Sequence, residues 1–218
     1  MAMVLKRYVL AWLLVLASFA VVFALWSRMP EMVPVHWNAH GKVNGWMAKP
    51  WGPLIGPLTA LATVGFLSIC PLISPKQFSM ERFVRAWTTI VTGLAGFMFV
   101  VTAAVTLAGA GVAVDVTRIL GLAVGVLFMM IGNFMGKLTP NFFAGIRTPW
   151  TLANEEVWLR THRLGGKLFF LAGLAAAVTS LVSSVASVSV ILGGSLLASI
   201  VPTVYSYLLY RKLVASAG

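Results

Sequence analysis

Residues 168–210 read LFFLAGLAAAVTSLVSSVASVSVILGGSLLASIVPTVYSYLLY and contain no Asp, Glu, Lys, Arg or His. A helix needs about 20 mostly apolar residues to cross the hydrocarbon core of a bilayer. This stretch is long enough for two crossings, which we place at 168–185 and 188–210. Only Ala186 and Ser187 separate them, so the sequence predicts a tight hairpin of two membrane-spanning helices.

Four further apolar stretches lie upstream, at about 8–26, 53–73, 87–108 and 119–135. The chain of 218 residues is 60% hydrophobic and only 10% charged, and its mean hydropathy is +0.94. Because a soluble domain carries roughly a quarter charged residues, these values exclude a soluble globular fold. They predict an all-α integral membrane protein with six transmembrane helices, forming a single membrane domain over residues 1–218.

The basic residues predict the orientation of the spans, because Lys and Arg near span ends stay on the cytoplasmic side. Of the 16 basic residues, 12 fall on the side that carries both termini, which we therefore expect to be cytoplasmic. These 12 are Lys6, Arg7, Lys76, Arg82, Arg85, Lys137, Arg147, Arg160, Arg163, Lys167, Arg211 and Lys212. This distribution accounts for the net charge of +11, so no direct nucleic-acid partner is predicted. A signal peptide is the alternative interpretation of the first apolar stretch, which lacks a convincing cleavage motif.

Within the predicted spans the polar residues are Ser, Thr and a lone Asn133. Proton-coupled transporters and intramembrane enzymes place ionisable groups in their spans, so neither class is favoured. A transporter or permease with a path lined by Asn133 and the Thr residues of the third span is the alternative. The pairs Gly121 with Gly125 and Gly132 with Gly136 have the spacing that favours close helix packing.

The loop from Ser27 to Gly52, which we call the cap loop, is rich in Pro, Gly, Trp and His. Its alternating residues 33–37 and the turn residues 38–41 predict a small ordered hairpin on the extracytoplasmic side. The candidate binding residues are His36, Trp37, His40 and Trp46. Trp37, Trp46 and Trp51 are expected to anchor the loop at the headgroup level.

A metal-dependent envelope enzyme using His36, His40 and Glu31 is a further alternative for the cap loop. A zinc site normally needs at least three protein ligands. The two histidines would meet only on a helix, which Pro34 and Gly41 disfavour. The sequence therefore predicts neither a metal nor a cofactor.

The second polar segment, residues 136–166, is called the motif loop here. Thr148 and Pro149 predict the start of a short cytoplasmic amphipathic helix. Glu156 stands four residues before Arg160, in the order that favours an ion pair. An apolar stripe of Trp150, Ala153, Val157 and Leu164 is expected along this helix. The candidate binding or signalling residues are Asn141, Arg147, Trp150, Thr151, Glu156 and His162. No nucleophile motif or phosphate loop accompanies them, so a non-enzymatic role is predicted.

Two stretches resemble a known family. PEMVPVHWNAHGKVNGW, from Pro30 to Trp46, resembles the N-terminal domain of unknown function found in SdpI-type membrane proteins. GNFMGKLTPNFFAGIRTPWTLANEEVWLRTHRLGGKLF, from Gly132 to Phe169, resembles the signature of the SdpI immunity protein family. The two stretches cover about a quarter of the chain in matching order and spacing.

The resemblance implies a multi-pass protein of the bacterial cytoplasmic (inner) membrane that protects its cell against a secreted peptide toxin. It also implies a signalling role, in which a cytoplasmic autorepressor is held at the membrane when toxin is present. The implied partners are the toxin, the repressor and the lipid bilayer.

Overall fold

The structure is a computed structural model that describes residues 6–216. Six of its helices are long and apolar enough to cross a membrane, which confirms the predicted fold class. The described part also contains a short α-helix, a two-stranded antiparallel sheet and three 3-10 helices, at Trp26–Arg28, Lys76–Phe78 and Met80–Phe83. In chain order the elements are α1 (Val9–Leu25), β1 (Met32–Trp37), β2 (Val43–Ala48), α2 (Trp51–Ile73), α3 (Val84–Gly109), α4 (Val116–Met135), α5 (Pro149–Ala153), α6 (Glu155–Val182) and α7 (Ser184–Ala215).

The spanning helices form two groups of three. Helices α1, α2 and α3 pack on one another, as do α4, α6 and α7, and the contact between α3 and α4 joins the groups. Val15, Val64 and Val91 are fully buried where α1, α2 and α3 meet. Large apolar side chains cover the outer surface of the bundle, as expected of a protein whose solvent is lipid.

Glycines set the contact between α4 and α6. A Cβ atom on Gly173 would lie 2.5 Å from the carbonyl oxygen of Gly125, and one on Gly166 would lie 2.6 Å from that of Gly132. Backbone atoms cannot move aside as a flexible side chain can, so these positions need glycine. The close helix packing expected from the glycine spacing of the fourth span is therefore confirmed at Gly125 and Gly132. Gly136 has more space, with the nearest Arg163 atom at 3.5 Å.

The last two spans form the expected hairpin, but their limits differ from the sequence expectation. Helix α6 begins at Glu155 rather than near Leu168. The break between α6 and α7 is the single residue Ser183, not Ala186 and Ser187. Ser183 is extended and its side chain accepts a hydrogen bond from the Ala186 N–H, so this serine caps α7.

The short helix expected in the motif loop begins at Pro149 as predicted, but it does not extend to Leu164 as the expected stripe required. Asn154 is extended and ends α5 after five residues. Its side chain then accepts a bond from the Val157 N–H and caps α6. The expected stripe is divided accordingly: Trp150 lies on α5, whereas Val157 lies on the first turn of a spanning helix.

Candidate functional site

The cap loop forms the expected hairpin from β1 and β2, and it is fixed to the helices beneath it. Val33 is buried and packs beside Gly52 and Gly109, which lie at the ends of α2 and α3. The Lys49 ammonium donates to the Trp26 carbonyl oxygen at 2.8 Å and lies 5.0 Å from the centre of the Trp26 ring. The hairpin therefore has a defined position on the bundle.

His36 and Trp46 lie on the exposed face of the hairpin. His36 Nδ1 is 2.6 Å from Asn44 Oδ1, which makes Asn44 a partner that the sequence analysis did not identify. The sequence feature that could have identified Asn44 is the pairing of two extended segments, because pairing brings residues distant in sequence side by side. Gly45 pairs with His36 and permits this approach, because a Cβ atom there would lie 2.8 Å from His36 Cβ. Trp46 exposes 55% of its surface.

The other two cap candidates are placed differently. Trp37 is half-buried and pairs with Val43. His40 is exposed in the turn, where its backbone N–H donates to Asn38 Oδ1 at 3.0 Å. Within residues 6–216 no three His, Cys, Asp or Glu side chains are arranged to hold a metal ion, so Glu31, His36 and His40 do not form a metal site there.

At the opposite end of the bundle, Asn141 organises the first half of the motif loop. Its side chain is fully buried. The Oδ1 atom accepts from the N–H groups of Phe143 and Ala144, at 2.9 and 2.8 Å. The Nδ2 atom donates to the carbonyl oxygens of Thr139 and Ala144, at 2.9 and 3.2 Å. All the hydrogen bonds of this amide serve to hold the loop.

His162 fixes the middle of the motif loop from α6. Its Nδ1 atom lies 2.8 Å from the Trp158 carbonyl oxygen, and its Nε2 atom lies 3.0 Å from the Ile146 nitrogen. A carbonyl can only accept and a backbone N–H can only donate, so the ring is neutral with its proton on Nδ1. The ring is fully buried and stacks on the Trp158 indole, at 3.9 Å between centroids. The indole donates to the Leu138 carbonyl oxygen at 2.6 Å.

Thr151 holds Ile146 from the side opposite His162. Its hydroxyl donates to the Ile146 carbonyl oxygen at 2.9 Å and accepts from the Thr148 N–H at 2.8 Å. The Thr148 hydroxyl accepts from the Thr151 N–H in return, so Thr148 caps α5 as expected. Through Ile146, the structure brings together two of the predicted residues, Thr151 and His162.

The remaining motif-loop candidates reach the surface. Arg147 is exposed and donates to the Phe142 carbonyl oxygen. Glu156 forms the expected ion pair with Arg160 at 2.6 Å, with both side chains about half exposed. Trp150 is half-buried and donates to Ser206 Oγ on α7 at 2.5 Å. The predicted residues therefore divide into a buried set that holds the loop and a set that lies at or near the surface.

Comparison with known proteins finds two family models that match different parts of the chain. Residues 137–206 match the SdpI/YfhL protein family, and residues 13–61 match a domain of unknown function, DUF1648. The SdpI/YfhL match covers 70 of the 218 residues, about a third of the chain. The chain is also 26% identical over 211 residues to Immunity protein SdpI of Bacillus subtilis strain 168, which covers 97% of this chain and 99% of that protein. No solved structure matches the chain.

Each matched segment contains one of the two loops. The DUF1648 segment contains the cap loop together with much of α1 and the first half of α2. The SdpI/YfhL segment begins at Lys137, ends at Ser206 and contains nearly all of the motif loop. Ser206, which accepts the hydrogen bond from Trp150, is a site residue that the sequence analysis missed, because only the folded hairpin brings it to the loop.

Helix α7 connects the two loops. At its first residue, the Ser184 hydroxyl donates to the carbonyl oxygen of Ala39 in the cap turn at 2.8 Å. Near its other end, Ser206 and Tyr207 contact the Trp150 ring, and the two aromatic centroids lie 5.3 Å apart. Asn133, by contrast, lies on the exposed surface of α4, so it does not line an interior path with the Thr residues of α3.

Proposed function

We propose that this chain is a non-enzymatic immunity protein that gives its cell resistance to a secreted antimicrobial peptide toxin. The observation that carries the proposal is the match to Immunity protein SdpI, which extends over nearly the full length of both chains. Both loops lie within matched segments. Because a shared fold alone does not establish an activity, the protein must also have surfaces suited to binding a peptide toxin.

The cap loop offers such a surface to an amphipathic peptide at the outer interface. Trp46 presents an indole that suits both apolar and polar contacts, and its exposed face lies on the same hairpin as His36 and Asn44. In this proposal Trp37 supports the hairpin from its half-buried position, and His40 extends the contact surface at the turn.

The motif loop would report toxin binding on the cytoplasmic side. A toxin that moves the cap turn acts on Ser184, and thus on the end of a continuous helix whose far end holds Trp150. A ligand shifts such an equilibrium only through different contacts in the two states. The exposed residues Arg147 and Glu156 would then be the ones that a cytoplasmic autorepressor contacts, while Asn141, Thr151 and His162 maintain the loop.

Survival of a toxin-sensitive bacterial strain tests the immunity function. The strain would express this chain and be challenged with the secreted peptide toxins encoded beside its gene. We expect survival with the unmodified chain and at least a tenfold loss of viable cells with Trp46→Ala. Trp51→Ala is the matched control, because Trp51 exposes 65% of its surface but lies outside the hairpin. Equal killing with and without the chain, for every peptide, would refute the immunity function.

The signalling step has its own test, which separates it from protection. Ser206→Ala removes the acceptor of the Trp150 indole, so it should reduce toxin-dependent recruitment of the repressor to membranes while survival is retained. Ser199→Ala is the control, because its hydroxyl bonds only within α7, to the Ser195 carbonyl oxygen. Recruitment that is unchanged in Ser206→Ala would contradict transmission through this contact.

A further inference from the structure

A groove lies between α4 and α6, near the end of the bundle that carries the motif loop. It is an open depression with a volume of about 470 Å³. Gly132 of α4, Gly136 just after α4 and Gly166 of α6 line its floor, where the two backbones approach closely. Asn133, Arg163 and Lys167 supply its polar groups, and Phe170 and Leu171 line the side that continues toward the apolar part of α6.

The two basic groups of this groove have no acidic partner. Within residues 6–216 the ion pairs are Asp115 with Arg118 and Glu156 with Arg160, and neither Arg163 nor Lys167 donates a side-chain hydrogen bond there. Both side chains belong to exposed residues, and they are four residues apart on one helix, so they project from the same face. Two positive charges therefore border a single cavity without a counter-charge.

The groove lies where the protein meets the boundary between water and hydrocarbon. Lys167 is the last ionisable residue before the long uncharged stretch that begins at Leu168. Asn133 is exposed on the surface of a spanning helix, and no bond to its side-chain amide exists within residues 6–216. An amide in that position is costly unless a polar partner meets it. A headgroup at this depth would provide that partner.

We propose that this groove binds the phosphate group of an anionic phospholipid. The Arg163 guanidinium can hold the two non-bridging phosphate oxygens, Lys167 adds a point charge, and the Asn133 amide can donate to a neighbouring headgroup or ester oxygen. The exposed faces of Phe170 and Leu171 would contact the acyl chain. Basic pockets between spanning helices are a known form of lipid recognition. This inference does not depend on the immunity function.

Native mass spectrometry of the purified full-length protein in detergent tests the proposal, with phosphatidylglycerol and phosphatidylcholine as probes. Each basic residue near a membrane surface contributes about 1 kcal/mol to anionic lipid binding. The double variant Arg163→Gln, Lys167→Gln should therefore bind phosphatidylglycerol about thirtyfold more weakly. Its affinity for phosphatidylcholine should change little.

The matched control is the double variant Lys137→Gln, Arg160→Gln, which removes the same charge from the same end of the protein. Lys137 lies over the Phe134 ring and Arg160 pairs with Glu156, so neither borders the groove. An equal loss of phosphatidylglycerol binding in the control would overturn the site, because general charge attraction would then suffice.

Two further measurements keep the proposal testable. If the Arg163, Lys167 variant does not fold, Asn133→Leu replaces it, and a loss of several-fold in phosphatidylglycerol affinity is expected. An unchanged affinity would then overturn the proposal. Inorganic phosphate at millimolar concentration should not displace the lipid. Displacement would identify a free-phosphate site and overturn the lipid assignment.

Discussion

At the scale of single residues, the motif loop shows how polar side chains in a signature can hold a structure rather than bind a ligand. Asn141 and His162 are completely buried. The Asn141 amide and the His162 ring both form hydrogen bonds with backbone groups of the same loop. Buried polar groups are costly unless they are bonded, so these residues are required for the loop to keep its shape. Substitutions among them should act on stability first.

Gly145 provides a sharp test of this interpretation. Its φ of +106° is a conformation that favours glycine, and a Cβ atom there would lie 2.2 Å from His162 Nε2. Gly145→Ala should therefore lower the free energy of unfolding by at least about 2 kcal/mol, since backbone strain and the clash add. A lower midpoint of thermal unfolding in detergent would measure the loss of stability. Faster trypsin cleavage after Arg147 would measure its effect on the loop.

Gly111→Ala separates the two causes. Gly111 also has a positive φ, of +82°, but nothing lies within 4 Å of a Cβ atom built there. Gly111→Ala should lower the free energy of unfolding only by the cost of the strained backbone conformation, about 1 kcal/mol. Equal losses in the two variants would mean that the contact with His162 does not hold the loop.

Sequence reasoning identified the motif-loop residues but left open which of them bind a partner and which hold the loop. The types and spacing of Asn141, Thr151 and His162 indicated polar chemistry. Their burial depends on a loop that folds back on α6, which no local pattern reports. The contact of Trp150 with Ser206 joins residues 56 positions apart and was beyond any motif argument. The cap of Thr148 was predictable because its cause is local.

At the scale of the elements, glycines let the backbones of α4 and α6 approach closely, and apolar pairs such as Phe128 with Phe169 pack beside them. In lipid there is little hydrophobic gain from bringing two helices together, so close backbone packing has to supply the attraction. The spacing of Gly121, Gly125 and Gly132 made this predictable for α4. The glycines of α6 that face them, Gly166 and Gly173, could not be predicted, because the sequence of a single helix does not specify its register against another helix.

Gly173→Ala tests that packing. The new Cβ atom would lie 2.5 Å from the Gly125 carbonyl oxygen and 2.7 Å from the Met129 nitrogen, so the helices must separate. We expect a loss of about 2 kcal/mol or more, measured as a lower midpoint of unfolding in a detergent titration. Gly193→Ala on α7 is the control, because nothing lies within 4 Å of its Cβ position, and it should cause no loss. Similar losses in both variants would rule out a specific contact.

At the scale of the whole molecule, hydropathy was sufficient to predict six spans, because the bilayer admits few alternatives to an apolar helix. Hydropathy did not predict the start of α6, because that helix extends beyond the apolar run into a charged segment. Arg160, Arg163 and Lys167 made residues 155–167 resemble a separate surface helix, yet they form the first turns of α6. The limit of an apolar run is therefore not the limit of the helix that contains it.

The charge asymmetry of the molecule predicts its orientation, and labelling of single cysteines can test that prediction. In a Cys70→Ala background, Lys42→Cys in the cap turn should react with a membrane-impermeant maleimide in intact cells. Glu155→Cys, at the start of α6, should react only after permeabilisation, because the side with 12 basic residues is retained in the cytoplasm. Both positions are exposed in the structure, so a difference in labelling would report sidedness rather than burial. The background variant, which should remain unlabelled, controls for other reactive groups. The reverse pattern would place the cap loop in the cytoplasm, where a secreted toxin could not reach it, and the proposed immunity mechanism would fail along with the orientation.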